Sequence, residues 1–262
     1  MVREAELFFE WLIANNQNGV EWVALQSAAW PAGFADGVLR ISRWRNLTDM
    51  AHGFGLSVGL DVPIALQQQH SWYMVDSSDT TATLASQLDA ISHRLDLLFE
   101  ENAAGASFDF LNTESGTTEF SHPDCGRMLA WMNHTAAYAS TRYQKRVYIK
   151  VHVSHGQTCS DYLDAHGQPI NFNFLPQFAL RELAVAPHTV QTYAFDDPAA
   201  GTYGNTNFSF MLEWASAQMR SGRRTIYYGE TAYWVCNHYI YNCNIQRATH
   251  KHSTYGTNAV GR

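Results

Sequence analysis

The sequence predicts an α/β fold: a parallel (β/α) barrel of the TIM type, incomplete because it lacks the first and last strands. Three observations lead there. Amphipathic helical stretches alternate with short runs rich in β-branched and aromatic residues, and loops rich in Gly, Ser, Asp or Pro follow the runs. The runs are nearly continuously apolar, as strands buried on both faces of a parallel sheet are. Their starting positions, residues 20, 56, 108, 147, 190 and 225, step by 36, 52, 39, 43 and 35 residues, room for one strand and one crossover helix each.

In order, the expected strands are Val20–Leu25, Leu56–Ile64, Phe108–Glu114, Val147–Val153, Val190–Phe195 and Thr225–Glu230. The expected helices are Glu6–Asn15, Leu39–His52, Thr83–Asn102, Asp124–Tyr143, Pro176–Ala184 and Phe208–Arg220. Thr83–Asn102 carries the clearest stripe: Leu84, Leu88, Ile91, Leu95 and Leu98 recur every three or four residues and would face a sheet. No glycine-rich phosphate turn follows the first strand, and polar residues gather at the C-terminal ends of many strands, which favours a barrel over a doubly wound sheet. Six units are legible where closure takes eight. Without a linker or low-complexity tract, residues 1–234 are expected to form one barrel domain, and residues 235–262 an irregular tail.

Composition narrows the partners. Hydrophobic residues make up 46% of the 262 and charged residues 16%, a globular balance rather than a disordered one. The formal net charge of −7 leaves no excess of Lys and Arg to neutralise a phosphate backbone, so nucleic acid is not an expected partner. Apolar stretches are far shorter than the roughly 20 residues of a membrane span, and no membrane partner is expected. The N-terminus lacks the basic start and apolar centre of a signal peptide, which leaves localisation open. The cysteines at 125, 159, 236 and 243 match no zinc or Cys-x-x-Cys spacing and are expected as thiols.

In barrels the chemistry sits just past the strand C-termini, where all strands point at one pocket. Asn112 and Glu114 share a face at the end of one run, and Glu230 ends another. Asp61 is a charge inside an apolar run, costly unless it is partnered or faces a pocket. Aromatic and polar residues past strand ends, Trp72, Tyr193, Tyr233 and Trp234 with Gln67, His70, His152 and Asp196, are of the kinds that stack on sugar faces and bond their hydroxyls.

Two carboxylates closing strands three steps apart resemble the retaining (β/α)8 glycoside hydrolases, whose acid/base Glu ends the fourth strand and whose nucleophile ends the seventh. With a first strand restored, Glu114 takes the acid/base place and Glu230 the nucleophile place. The resemblance implies cleavage of O-glycosidic bonds in a carbohydrate substrate without cofactor or metal, through carboxyl groups about 5 to 5.5 Å apart. It departs at Thr113, which stands between Asn112 and Glu114 where that clan has Asn directly before the acid, so Glu119 is the alternative acid. Two other readings stay open: a non-catalytic carbohydrate-binding barrel fragment, and a metal-dependent barrel hydrolase built on strand-end histidines such as His70, His152 and His155. An unclosed sheet further predicts self-association through its edges.

Overall fold

A computed structural model describes residues 2–23, 38–65, 73–77, 79–100, 107–114, 124–151, 158–189 and 209–229. In chain order these form α1 (Val2–Ala14), β1 (Gly19–Val23), α2 (Val38–Gly53), β2 (Ser57–Asp61), α3 (Leu84–Phe99), β3 (Phe110–Glu114), α4 (Cys125–Tyr143) and β4 (Arg146–Val151). There follow a hairpin of β5 (Thr158–Leu163) and β6 (Pro169–Asn171), a 3-10 segment Phe172–Phe178, β7 (Leu183–Thr189), α5 (Ser209–Arg220) and β8 (Tyr228–Gly229).

The main sheet has six strands in the order β1-β2-β3-β4-β7-β8, every pair parallel. That order advances in one direction without reversal. Crossovers between parallel strands are right-handed, so each lands on the same side of such a sheet, and a single helical layer covers one face. This is barrel winding rather than the doubly wound arrangement. Among the described residues β1 pairs only with β2 and β8 only with β7, so the sheet is an open, incomplete barrel.

Side-chain alternation divides the sheet accordingly. Val58, Leu60, Leu111, Val147, Ile149, Val151, Leu183 and Val185 belong to one apolar core with Phe9, Leu12, Ile91, Leu95, Met128, Trp131 and Met211 of the helices, and the half-buried Val20 and Trp22 pack against it. Residues of the opposite parity, among them Glu21, Asp61, Asn112, Glu114 and Lys150, point the other way. Gly59 shows how tightly that second face is packed. A Cβ there would lie 2.1 Å from the Phe110 ring, which covers the glycine from the paired strand.

The helices begin and end where local chemistry satisfies their ends. The Thr83 hydroxyl accepts from the Ser86 N–H ahead of α3, and the Asp124 carboxylate from the Arg127 N–H ahead of α4. Gln144 closes α4 in the left-handed region, φ 56°. At the N-terminal end of the sheet, Asp109 Oδ2 accepts from the Val58 N–H at 2.7 Å and pairs with His52 Nε2 at 2.9 Å, fastening the end of α2 to β2 and β3.

Five of the six expected helices, and the first four expected strands, overlap observed elements. The helix expected over Pro176–Ala184 is a correction: the chain makes a 3-10 segment ending at Phe178 and then enters β7 at Leu183. The 3-10 segment packs on α4 and β4 and so fills the place of a crossover helix. The expected Val190–Phe195 strand lies outside the described residues, and the strand beside β4 is the preceding Leu183–Thr189. The β5–β6 hairpin had no counterpart in the sequence reading. Two cysteines read as thiols are also corrected, because Cys125 and Cys159 form a disulfide that joins the start of α4 to the hairpin. Residues 235–262 lie outside the described residues.

The Thr225–Glu230 run is strand only at Tyr228–Gly229, with an isolated bridge from Thr225 to Val185. The register is continuous, since Thr225 and Tyr228 are each 40 residues beyond their partners Val185 and His188. Val185 sends both its N–H and its carbonyl to this segment, bonding Arg224 O and Ile226 N at 3.0 Å each. Two residues on, Pro187 occupies the next position facing it and has no N–H to give. The ladder therefore breaks there and resumes at His188.

Candidate functional site

The polar face gathers charge at the C-terminal ends of the strands. Register pairs place Asp61 beside Asn112, Asn112 beside Tyr148, Glu114 beside Lys150, and His188 beside Tyr228. Paired residues of parallel strands lie on the same face, so these side chains form one layer with Glu21 of β1. Thr113, between Asn112 and Glu114, points into the helical layer, where its buried hydroxyl donates to the Val62 carbonyl at 2.7 Å. The residue that departs from the glycosidase pattern thus has a structural task, and it leaves Asn112 and Glu114 on the same face.

Lys150 is the centre of the layer. It is only 7% exposed, as is Asp61, and its ammonium donates to Asp61 Oδ2. The same ammonium lies 4.8 Å from the centre of the Tyr228 ring, whose own neighbour is the His188 ring at 5.1 Å. Burial alone would push the lysine toward its neutral form, but the Asp61 and Glu114 carboxylates together outweigh it and raise its affinity for the proton. Lys150 therefore holds its positive charge within the layer.

Glu21 carries the opposite perturbation. Its carboxyl is pushed up to about 7, first by burial and then by the Asp61 carboxylate, against the pull of Lys150 and of the bond from Asn112. Asn112 Nδ2 donates to both Glu21 oxygens at 3.1 Å. Asn112 is 1% exposed, and its Oδ1 is buried without a hydrogen-bond partner among the described residues.

Of the residues expected from sequence, the structure brings together Asp61, Asn112 and Glu114 at one mouth. Glu230, Glu119, Gln67, His70, Trp72, His152, Tyr193, Asp196, Tyr233 and Trp234 lie outside the described residues. Among the described residues no three His, Cys, Asp or Glu side chains converge to hold a metal ion, and no helix is long and apolar enough to cross a membrane. Glu21 was missed by the sequence reading, although the signal was that of Asp61: one carboxylate inside an apolar run, Val20-Glu21-Trp22-Val23. Chemically, the layer offers a carboxyl that gains or loses a proton near neutrality, two further carboxyl groups, a fixed cation and a buried amide oxygen.

No protein-family model matches the chain, and no curated protein matches it. Among solved structures, it is similar to a xylanase and alpha-amylase inhibitor protein from Scadoxus multiflorus. The TM-score is 0.46 at 10% identity, over 86% of this chain and 72% of that one. Strand order, register and the parity of the two sheet faces define the fold.

Proposed function

We propose that the protein is a carbohydrate-active hydrolase that cleaves O-glycosidic bonds at the C-terminal mouth of its sheet. The observation that carries this reading is that Asp61 and Glu114 both act on the buried Lys150, and Asp61 also on Glu21, at the C-terminal ends of the strands, the end at which barrel enzymes keep their chemistry. Glycosidic cleavage passes through an oxocarbenium-like state and needs one carboxyl group to protonate the leaving oxygen while another attacks or stabilises the sugar. In this reading Glu114 is the acid/base and Glu230 the nucleophile. Lys150 offsets the negative charge of its neighbours, and Asn112 and Asp61 bind sugar hydroxyls.

The test is hydrolysis of a panel of 4-nitrophenyl glycosides by the purified chain, compared with Glu114→Gln and Glu230→Gln. Each substitution is expected to lower kcat/KM by about 10²- to 10⁴-fold, the range of a positioned proton-transfer group, with the circular dichroism spectrum unchanged. Turnover equal to wild type in both variants would remove the two-carboxylate mechanism. Failure to cleave any of the glycosides would remove the activity.

A further inference from the structure

Asn112 sits deepest in the polar layer, and its amide has two unlike ends. The nitrogen is held by both oxygens of Glu21 at 3.1 Å, and the oxygen is buried with no partner among the described residues. A buried acceptor without a donor is costly, and native proteins rarely leave one. Its orientation has a cause next to it. An ionised carboxylate only accepts hydrogen bonds, so it fixes the amide with Nδ2 toward itself and Oδ1 away. A protonated carboxyl can also donate and could hold the amide either way round.

We propose that Glu21 is a positioning residue: ionised, it holds the Asn112 oxygen ready to accept a hydrogen bond from a substrate hydroxyl, and protonated, it releases that orientation. This rests on the carbohydrate reading above and deepens it by assigning the group the substrate presents at Asn112, a hydroxyl donor. The charged and titratable groups that share the sheet face with Glu21 are Asp61 on β2, Glu114 on β3, Arg146, Tyr148 and Lys150 on β4, His188 on β7 and Tyr228 on β8, of which Asp61 and Lys150 act on its carboxyl. Helices α1 and α2 pack on the opposite face of the sheet through Trp22, Phe9 and Ala51. Burial and the Asp61 carboxylate place the proton exchange of Glu21 at about 7, so both states are populated near neutrality. Asp61 and Lys150 feel the Glu21 proton through charge alone, whereas Asn112 feels it through a hydrogen bond, which is what fixes the direction of its amide.

The experiment follows the Asn112 side-chain amide in the full ¹⁵N-labelled chain from pH 5 to 9, its signals identified by their loss in Asn112→Ala. In wild type the pair should shift with a midpoint near the Glu21 value. In Glu21→Gln, whose amide oxygen accepts from Nδ2 at every pH, the shift should vanish. A panel of methyl glycosides is then added at pH 8 and at pH 5.5. Displacement of the Asn112 signals should need about tenfold more glycoside at the lower pH in wild type, the worth of one good hydrogen bond, and equal amounts at both in Glu21→Gln. The same titration in Glu21→Gln as in wild type, or none in either, overturns the positioning role. If no methyl glycoside moves the Asn112 signals, the hydroxyl acceptor is overturned. Should the titration and binding occur as stated while no aryl glycoside is hydrolysed, the positioning role stands and the hydrolase reading falls.

Discussion

A lysine 7% exposed in a parallel sheet survives because Asp61 meets its ammonium and the Tyr228 ring lies beneath it. Taking either ion from water is expensive, and mutual attraction repays that cost only while both partners are present. Asp61→Asn should therefore destabilise the fold by roughly 3–5 kcal/mol, as should Lys150→Met, because each leaves a buried charge without its main partner. The double variant should cost less than either single one. Urea unfolding of the four proteins measures this, and strictly additive losses would show that the two side chains do not act as a pair. Asp61 was legible as a charge inside an apolar run, and Asn112 with Glu114 through the two-residue period. The pairing with Lys150 was not. It depends on β2 and β4 both flanking β3, and spacing along the chain does not carry that neighbour relation.

At the scale of elements, helices read well because an apolar stripe and a cap are local. The stripe of α3 and the caps Thr83 and Asp124 sit within a few residues of the segments they define. The strand β7 read poorly because Leu183-Ala184-Val185-Ala186-Pro187 alternates large with small residues and contains a proline, the signals of a helix and then a break. Its alanines suit it for another reason: Ala184 and Ala186 turn to the polar face, where Tyr148 and Lys150 of the paired strand stand beside them. The disulfide was illegible because Cys125 and Cys159 lie 34 residues apart with β4 between them. It ties the chain that follows β3 to the chain that follows β4, the two strands that carry Glu114 and Lys150. Closing a loop of that length restrains the unfolded chain by roughly 3–4 kcal/mol on the chain-entropy account. Cys125→Ser/Cys159→Ser should lose about that much stability in denaturant without reductant, and the wild type should lose a similar amount when reducing agent is added. Equal midpoints with and without reductant would mean that the link contributes nothing to stability.

At the scale of the whole molecule, the one-directional strand order places the described helices on one face and leaves two ends to the sheet among the described residues. At one end β1 bonds no described strand on its outer side; Val23 is 47% exposed on the polar face, and on α1, which packs on the other face, Leu7 is 56% and Trp11 59% exposed. At the other, Ile226 and Tyr227 next to β8 are 38% and 56% exposed, and Leu212 and Met219 of α5 are exposed as well. Neither end carries the lysines or prolines with which proteins blunt an edge. Apolar side chains flanking an open strand are a template for pairing with another chain. The net charge of −7 opposes contact between copies, so association should strengthen as salt screens it. Light scattering of the purified chain over a hundredfold concentration range is expected to show mass rising with concentration, and rising further at about 0.5 M salt, where the screening length is only a few ångströms. Val23→Lys and Trp11→Lys should each shift the rise about tenfold or more upward in concentration, since each removes one apolar side chain from the contact and adds a charge. A mass that stays at one chain throughout, in wild type and at both salt concentrations, would show that these ends do not act as templates for association.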